Sequence, residues 1–120
     1  MNLVPVNIDQ YLTKDLLNDE YRKKSDGMPR AFGHCYVACE ALYHLGLKDA
    51  MYKPWYGKDA DGKTHWWLVS EVSDALIDPT ASQYTERGLT PPYDKGKKCG
   101  FLTKEPSFRA KLLMVRIVGL

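Results

Sequence analysis

Three features of this chain predict an α+β fold. The period of its apolar residues changes from helical to extended after Gly46, an Asp61-Gly62 pair separates two aromatic-rich runs, and the stretch from Cys35 is apolar on most sides. Together they predict a central helix that starts at Cys35 and packs on a small antiparallel sheet. The 120 residues support one hydrophobic core, so residues 1–120 are read as a single domain.

The elements follow in order. Ile8, Tyr11, Leu12, Leu16 and Tyr21 fall near helical spacing with charged residues between them, which predicts a first helix over 8–24, capped by Asn7 or Asp9. Gly27, Pro29 and Gly33 make 25–33 a loop. The second helix runs over 35–45 and stops at Gly46. Residues 51–56 and 64–70 are strands joined by the turn at 59–62. Pro54 has no N–H for a ladder, which places the first strand at an edge or interrupts it there. A turn at 71–74 leads to a third short strand over 75–78, ended by Pro79. Residues 81–103 hold Pro91, Pro92 and three glycines and read as a long irregular surface segment, a kind that is often functional. A last helix runs from Pro106 or Ser107 to about Ile117, although Val115 to Val118 also fits a strand.

Composition narrows the class. An apolar content of 44% and an aromatic content of 12% exclude a disordered chain. Seventeen basic against fifteen acidic residues leave a net charge of +2, too little for a global field that would draw nucleic acid or an anionic membrane. The basic residues Lys95, Lys97, Lys98, Lys104, Arg109, Lys111 and Arg116 do concentrate in one segment, which reads first as a solvated face. Three cysteines, two of them one helical turn apart, do not make a disulfide framework, so a reducing, cytoplasmic setting is expected. Residues 1–7 lack the features of a signal peptide, and the apolar run from Leu112 is broken by Arg116 and too short to span a bilayer. A soluble protein with no membrane partner is the expectation.

Cys35 is the chemically informative residue. It stands where a loop becomes a helix, and a helix N-terminus favours the thiolate. His65 and Asp78 follow. A histidine can take the thiol proton, and a carboxylate can hold that histidine in the right tautomer. Register supplies a geometric test. If 71–74 form a four-residue turn, Ser70 faces Ala75 and Trp67 faces Asp78. His65 and Asp78 are then diagonal neighbours on one face, close enough for their side chains to meet. The Cys35 amide is a natural oxyanion donor. For the second donor His34 is one candidate, and a polar group from residues 21–30 another.

A helix-borne cysteine in Gly33-His34-Cys35-Tyr36-Val37-Ala38, a histidine in His65-Trp66-Trp67-Leu68-Val69 and an aspartate in Ile77-Asp78-Pro79-Thr80 resemble the transglutaminase-like branch of the papain-like cysteine hydrolases. The first of these segments, with Glu40-Ala41-Leu42-Tyr43-His44-Leu45 and Gly100-Phe101-Leu102-Thr103-Lys104, also resembles a group of small phage and bacterial proteins. The likeness implies a papain-like core and catalysis by Cys35 as nucleophile, His65 as base and Asp78 as orienting acid. It implies an amide, peptide or isopeptide substrate and no metal or cofactor. No tryptophan or nearby glutamine precedes Cys35 as an oxyanion donor. Substrate contacts are expected from His34, Trp67 and Tyr93. The loops over 25–32 and 82–103 should flank the cleft. Their Arg87, Tyr93, Lys95, Lys97 and Lys98 would suit an acidic or glycan-bearing amide.

Two other readings compete with this one. His34, Cys35, Cys39 and His44 crowd one segment, but they lack the paired spacing of a zinc site, and Cys39 and His44 read more simply as core and helix-end residues. A non-catalytic binding module of the same fold could engage an acidic partner or nucleic acid through residues 95–116, with Tyr93, Phe101 and Phe108 as stacking platforms. That reading makes Cys35 dispensable. Whether an acyl-enzyme would be resolved by water or by an amine stays open, with water the default.

Overall fold

The computed structural model describes residues 8–17, 19–24, 27–28 and 33–119. It is a mixed helix and sheet structure. Strands β1 (Tyr52–Lys58), β2 (Thr64–Ser70), β3 (Leu76–Ile77) and β4 (Lys97–Lys98) form one antiparallel sheet in the order β3-β2-β1-β4. The helices are α1 (Asp19–Lys24), α2 (Cys35–Leu42), α3 (Ser82–Thr85) and α4 (Phe108–Val118). Helix α2 packs on β2 and on α4, so it is buried from two sides. That arrangement explains its composition: Val37, Ala38, Cys39, Ala41 and Leu42 join Leu68, Ala110 and Leu113 in the core.

The strand register is the one the sequence predicts. Leu68 pairs with Ile77 and Val69 with Leu76, while Ser70 N–H donates to Ala75 O at 2.9 Å. Ser70 Oγ accepts from the amides of Val72 and Ser73 and ties the turn. Between β1 and β2, Asp59 Oδ1 accepts from the amides of Asp61 and Lys63, and Gly62 takes a φ of 78° that favours glycine.

Several expectations are corrected. The helix expected over 8–24 is broken into two 3-10 turns, Asp9–Tyr11 and Lys14–Leu16, and the short α1. Thr13 and Leu17 are extended at the breaks. The carbonyls of Leu17 and Leu16 serve Arg22 and Arg109, and that of Thr13 takes His34 beside the 3-10 bond from Leu16 N–H. Ile8, Leu12 and Leu16 are buried all the same, so spacing identified the core but not the backbone. The caps proposed for that helix, Asn7 and the Asp9 side chain, and most of the loop over 25–33 lie outside the described residues.

Helix α2 gives way at Tyr43 to a wider π turn, Tyr43–Leu47, with Gly46 at φ 154°. Strand β1 is internal, not an edge. Pro54 is tolerated because β4 pairs only with Trp55 and Tyr56, and the Pro54 carbonyl accepts from Cys99 N–H. Residues 81–103 are less irregular than expected, since they contain α3 and β4. Residues 115–118 are helical, and Ser107 Oγ caps α4 by accepting from Ala110 N–H. The buried Glu40 accepts in turn from Ser107 N–H and Oγ–H, fixing α4 to α2. Among the described residues no helix is long and apolar enough to cross a membrane.

Candidate active site

Cys35 is the first residue of α2, so its own amide has no intrahelical acceptor. Its thiol lies 3.6 Å from the carbonyl of Thr64, which starts β2, and the next residue on that strand is His65. The imidazole is fully buried. Its Nε2 is 2.6 Å from Asp78 Oδ2, and Cys35 is near enough for its charge to act on the ring. With Nε2 committed to Asp78, Nδ1 is the nitrogen left for the thiol. Cys35, His65 and Asp78 are therefore brought together, as the diagonal register requires.

The acid is tightly held. Asp78 Oδ1 accepts from Thr80 N–H at 3.1 Å, and Oδ2 accepts from Tyr93 O–H at 2.6 Å as well as from His65. Burial alone would push the imidazole towards its neutral form. The hydrogen bond to Asp78, with the charges of Asp78 and Cys35, outweighs burial and pushes its pKa up to about 9.

Gln83 was not read from the sequence. It is buried in α3, and its Nε2 lies 3.0 Å from His65 Nδ1 and 3.3 Å from Thr80 Oγ1. Gly33 N–H faces its Oε1 at 3.4 Å. In this orientation the amide donates to a neutral ring; turned over, Oε1 would accept from the Nδ1–H of a charged one. Helix α3 is anchored by Tyr84, whose hydroxyl donates to Asp59 Oδ2 at 2.8 Å and whose ring meets His65 edge-on at 4.7 Å between centroids. Burial and the Asp59 carboxylate push the Tyr84 hydroxyl pKa upward, and burial and Asp78 do the same for Tyr93, so both remain donors. A four-residue helix shows no periodicity, which is why this segment gave no signal beforehand.

A cavity of about 220 Å³ opens over Cys35, walled by Tyr21, Gly33, Thr64, Gln83 and Tyr84. Tyr21 and Met28 bring the 21–30 region to it. The three residues expected to touch substrate do not line it. His34 is buried and bonded through Nε2 to Thr13 O, a carbonyl that also accepts from Leu16 N–H in the 3-10 turn. Trp67 is buried and tilted against His65, and Tyr93 packs edge-on against Trp67 while bonded to Asp78. Both support the His-Asp pair from behind. Lys95 lines a separate cavity, and Lys98 is paired with Glu71, so neither flanks Cys35, whereas Arg87 does.

Cys39 is fully buried, and burial pushes its pKa well up. Cys99 is half-buried against the Pro54 carbonyl, and burial pushes it up to about 11. Among the described residues no group of three or more His, Cys, Asp or Glu is placed to hold a metal ion. Comparison with family models, curated proteins and solved structures finds no match.

Proposed function

We propose that this protein is a cysteine-dependent hydrolase or acyltransferase acting on an amide, peptide or isopeptide bond, built on the papain-like, transglutaminase-like core its sequence resembles. One observation carries the reading. His65 is bonded at Nε2 to Asp78 at 2.6 Å, and it follows Thr64, whose carbonyl faces the Cys35 thiol at 3.6 Å where that thiol starts a helix and borders a cavity.

The thiol proton passes to His65 Nδ1, and the sulfur attacks the carbonyl carbon. The S–C bond forms as the carbonyl π pair moves to oxygen, where the Cys35 amide donates to it. Protonation of Nδ1 turns away the Gln83 N–H, which becomes a second donor for that oxygen. The C–N bond then breaks, the leaving amine takes the Nδ1 proton, and a thioester remains. Water or a second amine attacks the thioester, returns a proton through His65 and restores the thiol. Thiolate chemistry of this kind fits a cytoplasmic setting, that of the host cell if the chain is phage-encoded.

The test is alkylation of the native protein at pH 7 with iodoacetamide, read by mass spectrometry at each cysteine, beside a screen of peptide, isopeptide and cell-wall amides. Cys35 should be labelled at least tenfold faster than Cys99, and Cys35→Ala should abolish any turnover found. Equal labelling with no turnover would favour a non-catalytic module. For that module the basic segment is a weaker docking surface than its sequence implies, since Lys98 and Arg116 are paired with Glu71 and Asp15.

A further inference from the structure

Three cations border the cavity over Cys35, Lys24, Lys63 and Arg87, and the last two have no ion-pair partner among the described residues. Arg87 donates from Nε to the Gln83 carbonyl at 2.7 Å, and its guanidinium lies 5.6 Å from the Tyr84 ring centroid. These contacts fix the head group at the rim, with Nη1 and Nη2 uncommitted. Lys63 holds its ammonium 5.8 Å from the Tyr21 ring centroid, next to Thr64 whose carbonyl faces the thiol. An aromatic face holds a cation without cancelling its charge. The acidic residues of the same wall are Asp59 and Asp61. Asp59 is spent on the Tyr84 hydroxyl and two backbone amides of the hairpin, while Asp61 is exposed at the hairpin tip.

We infer that the acyl donor delivered to Cys35 carries a carboxylate, received between Arg87 and Lys63. The inference rests on the proposed cysteine chemistry and deepens it by naming the substrate class. Guanidinium is suited to a forked, two-point grip on a carboxylate, and the ammonium adds a point charge on the other wall. The preference comes from Arg87 and Lys63, not from the lysines of 95–98.

The test uses two alkylating agents that differ by one charge. Each forms an S–C bond at Cys35 and expels iodide, but iodoacetate is an anion and iodoacetamide is neutral. The rate ratio of iodoacetate to iodoacetamide at Cys35, divided by that of the urea-denatured protein, reads the field at the thiol. At low salt it should fall about threefold in Arg87→Gln and in Lys63→Gln, about tenfold in the double variant, and towards the double-variant value at 1 M salt. Arg87→Lys, which keeps the charge, should hold most of the ratio, and thermal melts check that each variant is folded. A high ratio unchanged by the substitutions would assign the preference to the His65 imidazolium and overturn the inference. Slow labelling of Cys35 by iodoacetamide would instead sink the cysteine chemistry itself. In a peptide series, an internal acidic residue and a free terminal carboxylate beside the acyl carbon distinguish the two sources of the anion, and neutral peptides turned over equally well would count against it.

Discussion

The Gln83 amide nitrogen stands 3.0 Å from Nδ1 of His65, the ring atom that would take the Cys35 proton in the proposed reaction. One group thus competes with the thiol while the ring is neutral and is set free when the ring is charged. Its other bonds, to Thr80 Oγ1 and from Gly33 N–H, are 3.3 and 3.4 Å long and yield easily.

Two substitutions separate the roles of Gln83. Gln83→Ala removes the proposed oxyanion donor and should lower kcat by about 10²–10³ with little change in KM. Gln83→Glu places a carboxylate beside Nδ1. It should raise the His65 pKa, seen by NMR titration of the ring, and lower kcat further through repulsion of the oxyanion. A Gln83→Glu protein as active as the wild type would remove Gln83 from the reaction.

The His65 titration also makes stability depend on pH. The ring's ordinary pKa is 6.5, and in the fold it is pushed up to about 9, so the folded state favours the protonated ring. The stabilisation is therefore complete below pH 6.5, declines between 6.5 and 9, and is gone above. It amounts to at most about 3 kcal/mol. Urea unfolding at pH 6, 7.5 and 9.5 should show the loss. Asp78→Asn, which removes the main charge partner, should flatten it.

Gly96 is a packing device for the site. A Cβ there would overlap Cζ2 of Trp67 and stand 3.0 Å from its Cη2 and 3.2 Å from Trp55 Cε3. Trp67 backs both the His65 ring and Tyr93. Gly96→Ala should destabilise the protein by about 1–3 kcal/mol, measured by urea denaturation. It should also shift the His65 ring signals in NMR, since Trp67 cannot yield without moving its neighbours. Gly100→Ala has open space and serves as the control.

What the sequence disclosed follows from how local each signal is. The diagonal placement of His65 and Asp78 was legible because a four-residue turn fixes register, and register fixes face. Cys35 was legible because glycine and loop chemistry end where an apolar run begins. Gln83 and Tyr84 were not, since α3 has four residues and its position depends on Tyr84 reaching Asp59 across 25 residues. His34 and Trp67 were misplaced for the opposite reason. Their side chains suit ligand contact, but burial by Thr13 and by Gly96 is a tertiary fact that no local pattern carries. The broken first helix belongs here too, because its carbonyls are claimed by Arg22, His34 and Arg109 from further along the chain.

Asp78 and Tyr93 give the last prediction. Asp78 Oδ2 accepts from both His65 and Tyr93 at 2.6 Å, so the hydroxyl drains charge from the carboxylate that His65 relies on. Tyr93→Phe should leave the acid with fewer donors and a stronger pull on the imidazole. The His65 pKa should rise further, while the loss of an orienting bond lowers kcat by about threefold to tenfold and stability by about 1 kcal/mol. Asp78→Asn acts in the other direction. It removes the charge, should lower the His65 pKa, and turns an amide N–H or a weaker carbonyl towards Nε2, so the tautomer with a free Nδ1 is no longer enforced. Its kcat should fall far more than that of Tyr93→Phe. Asp78 Oδ1 also accepts from Thr80 N–H, a bond the asparagine carbonyl can keep, so the turn at Pro79 should survive and thermal melting should show a folded protein. Opposite shifts of the His65 pKa in the two variants are what a shared carboxylate demands. Shifts of the same sign would mean that Tyr93 acts on the ring by packing through Trp67 and not through Asp78.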